Sequence, residues 1–108
     1  MIITKENYQE LLQGTTIVEV SGEGCANCIT LLPVLNKILK NRNDVVLHHI
    51  EVSEENYFFI EKFNVEAVPT ILILNGMEVV GKCRGYQPEE ILELWIDAKI
   101  EEINKKIQ

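Results

Sequence analysis

The chain has 108 residues, 46% of them apolar and 25% charged, enough to bury a core in one domain without staples. Lys plus Arg total 10 against 17 Asp plus Glu, and the net charge of −7 argues against nucleic acid and anionic membranes as partners. Three cysteines are too few for a disulfide scaffold, no apolar run approaches the roughly 18 residues of a membrane span, and no signal peptide is readable. The expected setting is therefore a reducing cytoplasm.

Ile2 and Ile3 are expected as a short edge strand, and Thr4 as the N-cap of a helix with Tyr8, Leu11 and Leu12 on one face. Thr15 to Val20 is β-branched and reads as a strand, followed by a Gly22/Gly24 turn. From Ile29 to Leu39 apolar residues fall at 31, 32, 35, 38 and 39, a helical period that runs through Pro33, which bends the helix rather than ending it. Val45 to Val52 is apolar on both parities, as in a parallel strand buried on both faces. Ser53 or Glu54 opens a helix through Phe63, with Phe59, Ile60 and Phe63 on its buried side.

Ile71 to Leu74 is a strand, and Asn75-Gly76 is a hairpin signal joining it to an antiparallel Val79–Arg84. Gly85 interrupts the chain, and Pro88-Glu89-Glu90 starts a last helix with Pro and acid in its first turn. Its apolar residues Leu92, Ile96, Ile100, Ile103 and Ile107 form one stripe running to about 107, longer than the fold requires. That excess predicts either a weak homodimer or packing back on the sheet. The order βαβαβαββα demands right-handed crossovers and a mostly parallel sheet covered on both faces. The fold class is α/β, a three-layer sandwich with a central mixed sheet, with residues 1–108 as a single domain.

Cys25 and Cys28 lie between the first long strand and the helix after it, in S-G-E-G-C-A-N-C-I-T-L-L-P. A thiol in the first helical turn feels unpaired N–H groups and the positive end of the dipole, both of which favour thiolate. A second thiol one turn later is close enough to close a disulfide with it. The pair points to redox chemistry. The rival is half a zinc site, but a closed zinc site needs four ligands, and beyond Cys83, His48 and His49 little is available to supply them.

With the two cysteines, Pro33 after them, Val68-Pro69-Thr70 before a strand, the Asn75-Gly76 hairpin and Gly85 before the last helix, the chain resembles the thioredoxin family from Ile2 to about Ile100. The resemblance implies a thioredoxin fold and a thiol-disulfide oxidoreductase that needs no bound cofactor beyond a redox-active Cys25–Cys28 pair. Cys25 would be the exposed nucleophile and Cys28 the buried resolving thiol. Protein disulfides would be the substrates, and a thioredoxin-reductase-like electron donor or a small thiol would supply electrons. Gly24, Ala26, Asn27, Val68, Pro69, Thr70 and Gly85 would line the substrate site, with Pro69 after a cis bond. Glu19 stands where the family carries a buried acid that relays protons to the resolving thiol.

Gly24-Cys25-Ala26-Asn27-Cys28 departs from the family's Trp-Cys-Gly-Pro-Cys, and Ser21 replaces another common Trp. A binding or adaptor module with low redox turnover is therefore the alternative function. Alternation puts Glu19 on the parity of Ile17 and Ser21, and His49 on that of Val45, Leu47 and Glu51. If these strands are neighbours in register, the two meet as a buried proton-handling pair, with His49 as a proton-relay candidate. Cys83 reads as a bystander in the edge strand.

Overall fold

The computed structural model describes residues 2–107, Ile107 by its backbone alone. The elements are α1 (Tyr8–Leu11), β1 (Thr15–Ser21), α2 (Ala26–Leu39), β2 (Val46–Glu51), α3 (Tyr57–Lys62), β3 (Thr70–Asn75), β4 (Glu78–Arg84) and α4 (Glu89–Ile107). The strands form one mixed sheet in the order β2-β1-β3-β4. β1 runs parallel to β2 and antiparallel to β3, and β3 pairs antiparallel with β4 through a tight turn at Gly76 and Met77.

Alternation along the two central strands builds a core on each face of the sheet. Ile17, Ile71 and Ile73 point toward α2 and α4, where they meet Leu31, Leu35 and Ile96. Val18, Val20, Leu72 and Leu74 point the other way, toward Phe59 and Phe63 around α3 and Leu12 after α1. Pro33 lies inside α2, and the helix continues past it to Leu39, as its period predicts.

Two expectations about the first face-forming strands are corrected. Ile2 and Ile3 form no strand, although Ile3 is buried. Two residues offer too few ladder bonds, and the side chain of Asn7 takes up local backbone groups instead. Its Nδ2 donates to the Ile2 carbonyl, and its Oδ1 accepts from the Thr4 N–H at 2.7 Å while Thr4 Oγ1 accepts from the Asn7 N–H at 3.3 Å. This reciprocal pair closes the turn before α1, whose N-cap is Asn7 rather than the expected Thr4. As a result β2 is an edge strand rather than one buried on both faces. Val46, His49 and Glu51 are exposed and only Ile50 is fully buried.

The last helix does run to Ile107. Of the two outcomes predicted for its stripe, the described part packs back: Ile96, Ile100 and Ile103 are all buried in the core beneath α2 and α4. The side chain of Ile107 lies outside the described residues. Near the helix end, Lys106 Nζ reaches Glu78 Oε1 at 2.9 Å, holding α4 to the start of β4.

Candidate active site

Cys25 is the N-cap of α2. Its backbone is extended (φ −92°, ψ 103°), and its Sγ accepts a hydrogen bond from the Cys28 N–H at 3.2 Å. The N–H aimed at this sulfur is therefore that of Cys28, while Ala26 and Asn27 are exposed in the first turn. Gly24, immediately before the cap, has φ +72°, a left-handed conformation that a side chain would strain. Cys25 and Cys28 are joined as a disulfide with a Cα–Cα distance of 5.3 Å. Cys25 is partly exposed, and Cys28 is buried at 4%.

Glu19 is fully buried, on the parity of Ile17 and thus on the α2 side of the sheet. In the parallel register Glu19 is the Cα partner of His49. His49 Nδ1 lies 2.5 Å from Glu19 Oε1, while the Ser21 hydroxyl donates to Oε2. A cleft of about 410 Å³ opens beside this group, lined by Ser21, Gly24, Cys25, Cys28 and His49 among others. The predicted meeting of Glu19 and His49 is present. Its predicted burial holds for only one partner, because an edge strand leaves the His49 side chain 43% exposed.

Pro69 follows a cis bond after Val68 and is buried. The Pro69 carbonyl accepts the Gly85 N–H at 2.8 Å, which ties the end of β4 to this loop, and Thr70 Oγ1 donates to the Ala67 carbonyl at 2.6 Å. Thr70 itself is buried at the start of β3. Val68 remains 37% exposed, and a Cβ added at Gly22 would come within 3.0 Å of its side chain. Gly22 therefore lets the Val68–Pro69 loop approach the segment that carries Cys25.

Sequence reasoning did not single out Ser21 or Gly22 for the site. For Ser21 the signal in the sequence is its i, i+2 position on the parity of Glu19. Cys83 lies apart, half-buried on β4 against the α2/α4-side core, and burial pushes its thiol pKa up. Among the described residues no group of three or more His, Cys, Asp or Glu is placed to hold a metal ion.

A disulfide across a helix N-terminus, with one sulfur accessible and the other buried, can accept and return two electrons by thiol exchange. That chemistry on a mixed sheet covered by helices defines a thiol-disulfide oxidoreductase. The comparisons with known proteins agree. The Thioredoxin family model matches residues 1–98. The chain is 30% identical over 95 residues to the thioredoxin of Alicyclobacillus acidocaldarius subsp. acidocaldarius, covering 86% of this chain and 90% of that one. It is 31% identical over 85 residues to the thioredoxin of Listeria monocytogenes serovar 1/2a, covering 79% and 82%. Thioredoxin f from spinach chloroplast superposes with a TM-score of 0.77 at 22% identity, over 90% of this chain and 89% of that one, which is a likeness of fold. The chain belongs to the thioredoxin family.

Proposed function

We propose that this protein reduces protein disulfides, with Cys25 as the attacking thiol and Cys28 as the resolving one. The observation that carries the assignment is the asymmetry of the pair: Cys25 caps α2 and is partly exposed, whereas Cys28 is 4% exposed within the helix. An incoming disulfide can reach only the first sulfur. Attack by the Cys25 thiolate forms a mixed disulfide and releases one substrate thiol. Attack by Cys28 on Cys25 then releases the other and closes the internal disulfide.

Gly24, Ala26 and Asn27 on one side, and Val68, Pro69, Thr70 and Gly85 on the other, form the substrate site in this reading. The Gly22 contact with Val68 and the Gly85 bond to Pro69 support it. Glu19 and His49 together handle the proton of Cys28, supported by their direct contact beside the cysteine cleft. The sulfur pair itself carries the electrons and needs no bound cofactor. A reductase related to thioredoxin reductase, or a small thiol, returns the protein to the dithiol form. No described helix is long and apolar enough to cross a membrane, and we place the protein in the cytoplasm as a single domain. It acts as a monomer or weak homodimer, the burial of the α4 stripe in its own core favouring the monomer.

Insulin reduction tests the reading. Steady turnover with dithiothreitol or a reductase is the expected result, and Cys28→Ser should accumulate substrate as a mixed disulfide on Cys25. A protein that binds partners but shows no turnover would instead be an adaptor module on the same fold.

A further inference from the structure

Within the proton-handling unit, the structure divides the work between Glu19 and His49, and this division rests on the reading of Cys28 as the resolving thiol. Glu19 is fully buried and both its oxygens are engaged, Oε2 by the Ser21 hydroxyl and Oε1 by His49 Nδ1. Ser21 uses its only proton on Oε2, and an ionised Glu19 then meets the imidazole through Oε1 as an acceptor. Nδ1 then carries the ring proton, and Nε2 keeps a free lone pair. His49 also lines the cleft that contains Cys28, and its side chain is 43% exposed. It is the most exposed member of the group, Ser21 being 6% exposed and Glu19 fully buried.

We propose that His49 Nε2, rather than Glu19, takes the proton from Cys28, and that Glu19 is a positioning residue that holds the imidazole in the required tautomer with Ser21 as its brace. A base oriented by a buried carboxylate is a recurrent solution for activating a weak nucleophile. In the resolving step the Cys28 Sγ–H proton passes across the cleft to Nε2, directly or over one water. The Cys28 thiolate then attacks Cys25 Sγ. The Cys25–Cys28 bond forms as the bond from Cys25 to the substrate sulfur breaks, and the electron pair leaves on the substrate sulfur. That thiolate recovers the proton from the imidazolium. The cysteine pair is oxidised and the substrate sulfur reduced, with no outside reagent.

The remaining ionisable groups facing His49 fit this assignment. Glu51 on its own strand shares the cysteine cleft, and Glu51 and Glu55 line a second recess on which the ring also borders. Cys25 and Cys28 come from α2, and Glu19 from β1. Both extra carboxylates would favour the transient imidazolium, and among the described residues no Lys or Arg lines either recess to oppose it.

The test is a stopped-flow reaction of the fully reduced protein with a coloured aromatic disulfide. A first phase, rising with reagent concentration, reports attack by Cys25. A second, independent of it, reports resolution by Cys28. His49→Ala should leave the first phase within about twofold and slow the second by about a hundredfold, the low end of general-base contributions. Added imidazole should restore the second phase. Glu19→Gln should slow it less than His49→Ala does. A second phase in His49→Ala that matches wild type, or one that is slowed but indifferent to imidazole, would overturn the proposal. So would a Glu19→Gln variant slower than His49→Ala. A wild-type second phase that rises with reagent concentration would instead defeat the assignment of Cys28 as the resolving thiol.

Discussion

Cys25 and Cys83 show how position sets the reactivity of one chemical group. At the N-cap of α2 the Cys25 sulfur already accepts the Cys28 N–H, and the helix dipole favours negative charge there. Cys83 is shielded on β4, and burial raises its pKa, so at neutral pH it stays a thiol. In the reduced protein, iodoacetamide should label Cys25 first and Cys83 slowly, as read by peptide mass spectrometry. Labelling of Cys83 ahead of Cys25 would contradict the site. Thr16 on β1 offers a second test. It is fully buried, and its hydroxyl has no hydrogen-bond partner among the described residues. Thr16→Val keeps the shape and removes the orphan, so urea unfolding should show a gain of about 1 kcal/mol without loss of activity.

At the scale of elements, α4 bears on stability more than its distance from the cysteines suggests. Ile96, Ile100 and Ile103 are buried, and Gly81 on β4 lets the helix sit close: a Cβ there would fall 3.0 Å from the Trp95 ring. Truncation after Ile100 would remove Ile103 from the core and the Lys106–Glu78 contact with it. The buried side chain dominates, because an exposed ion pair contributes little. Truncation should therefore lower unfolding stability by about 2–4 kcal/mol, near the cost of deleting one buried Ile, with no change of mass by sedimentation. An unchanged melt would show that the last turns fray. A fall in mass from dimer to monomer would show that the helix serves an interface.

Across the whole molecule, the helices over the cysteine side of the sheet are linked by charge as well as by core. Lys37 on α2 meets Glu89 on α4 at 3.1 Å, and Arg42, just beyond α2, reaches both Asp44 and Asp97. The hydrogen bond from Arg42 holds the Asp44 carboxyl below its ordinary value of 3.8. A depressed carboxylate stabilises the fold above its unfolded pKa, and that contribution disappears as pH falls through the folded value. Asp44 is substantially exposed, so Asp44→Asn should cost no more than about 0.5 kcal/mol at pH 7. The difference from wild type should shrink as pH falls below the unfolded value and vanish once it lies below the depressed folded one, where the carboxyl is neutral in folded and unfolded chains alike. A loss that persists to lower pH would point to a structural role for Asp44 unrelated to its charge.

The features legible in the sequence are those set by near neighbours along the chain. The period of α2 through Pro33, the β3–β4 hairpin and the helix-end position of two thiols one turn apart depend on residues a few steps apart. Even the meeting of Glu19 with His49 follows from alternation, given β1 and β2 as neighbours in register. The Val68–Pro69 cis bond was anticipated only through resemblance to a family. Tertiary structure alone decided which strand forms the edge of the sheet, because that depends on a competition between distant partners. Asn7 takes the backbone groups of the first residues, no strand forms at Ile2–Ile3, and β2 is left uncovered. That outcome exposes His49 while Glu19 remains buried. It also turns Ser21 and Gly22, ordinary small residues in the sequence, into a brace for the carboxylate and a gap for Val68.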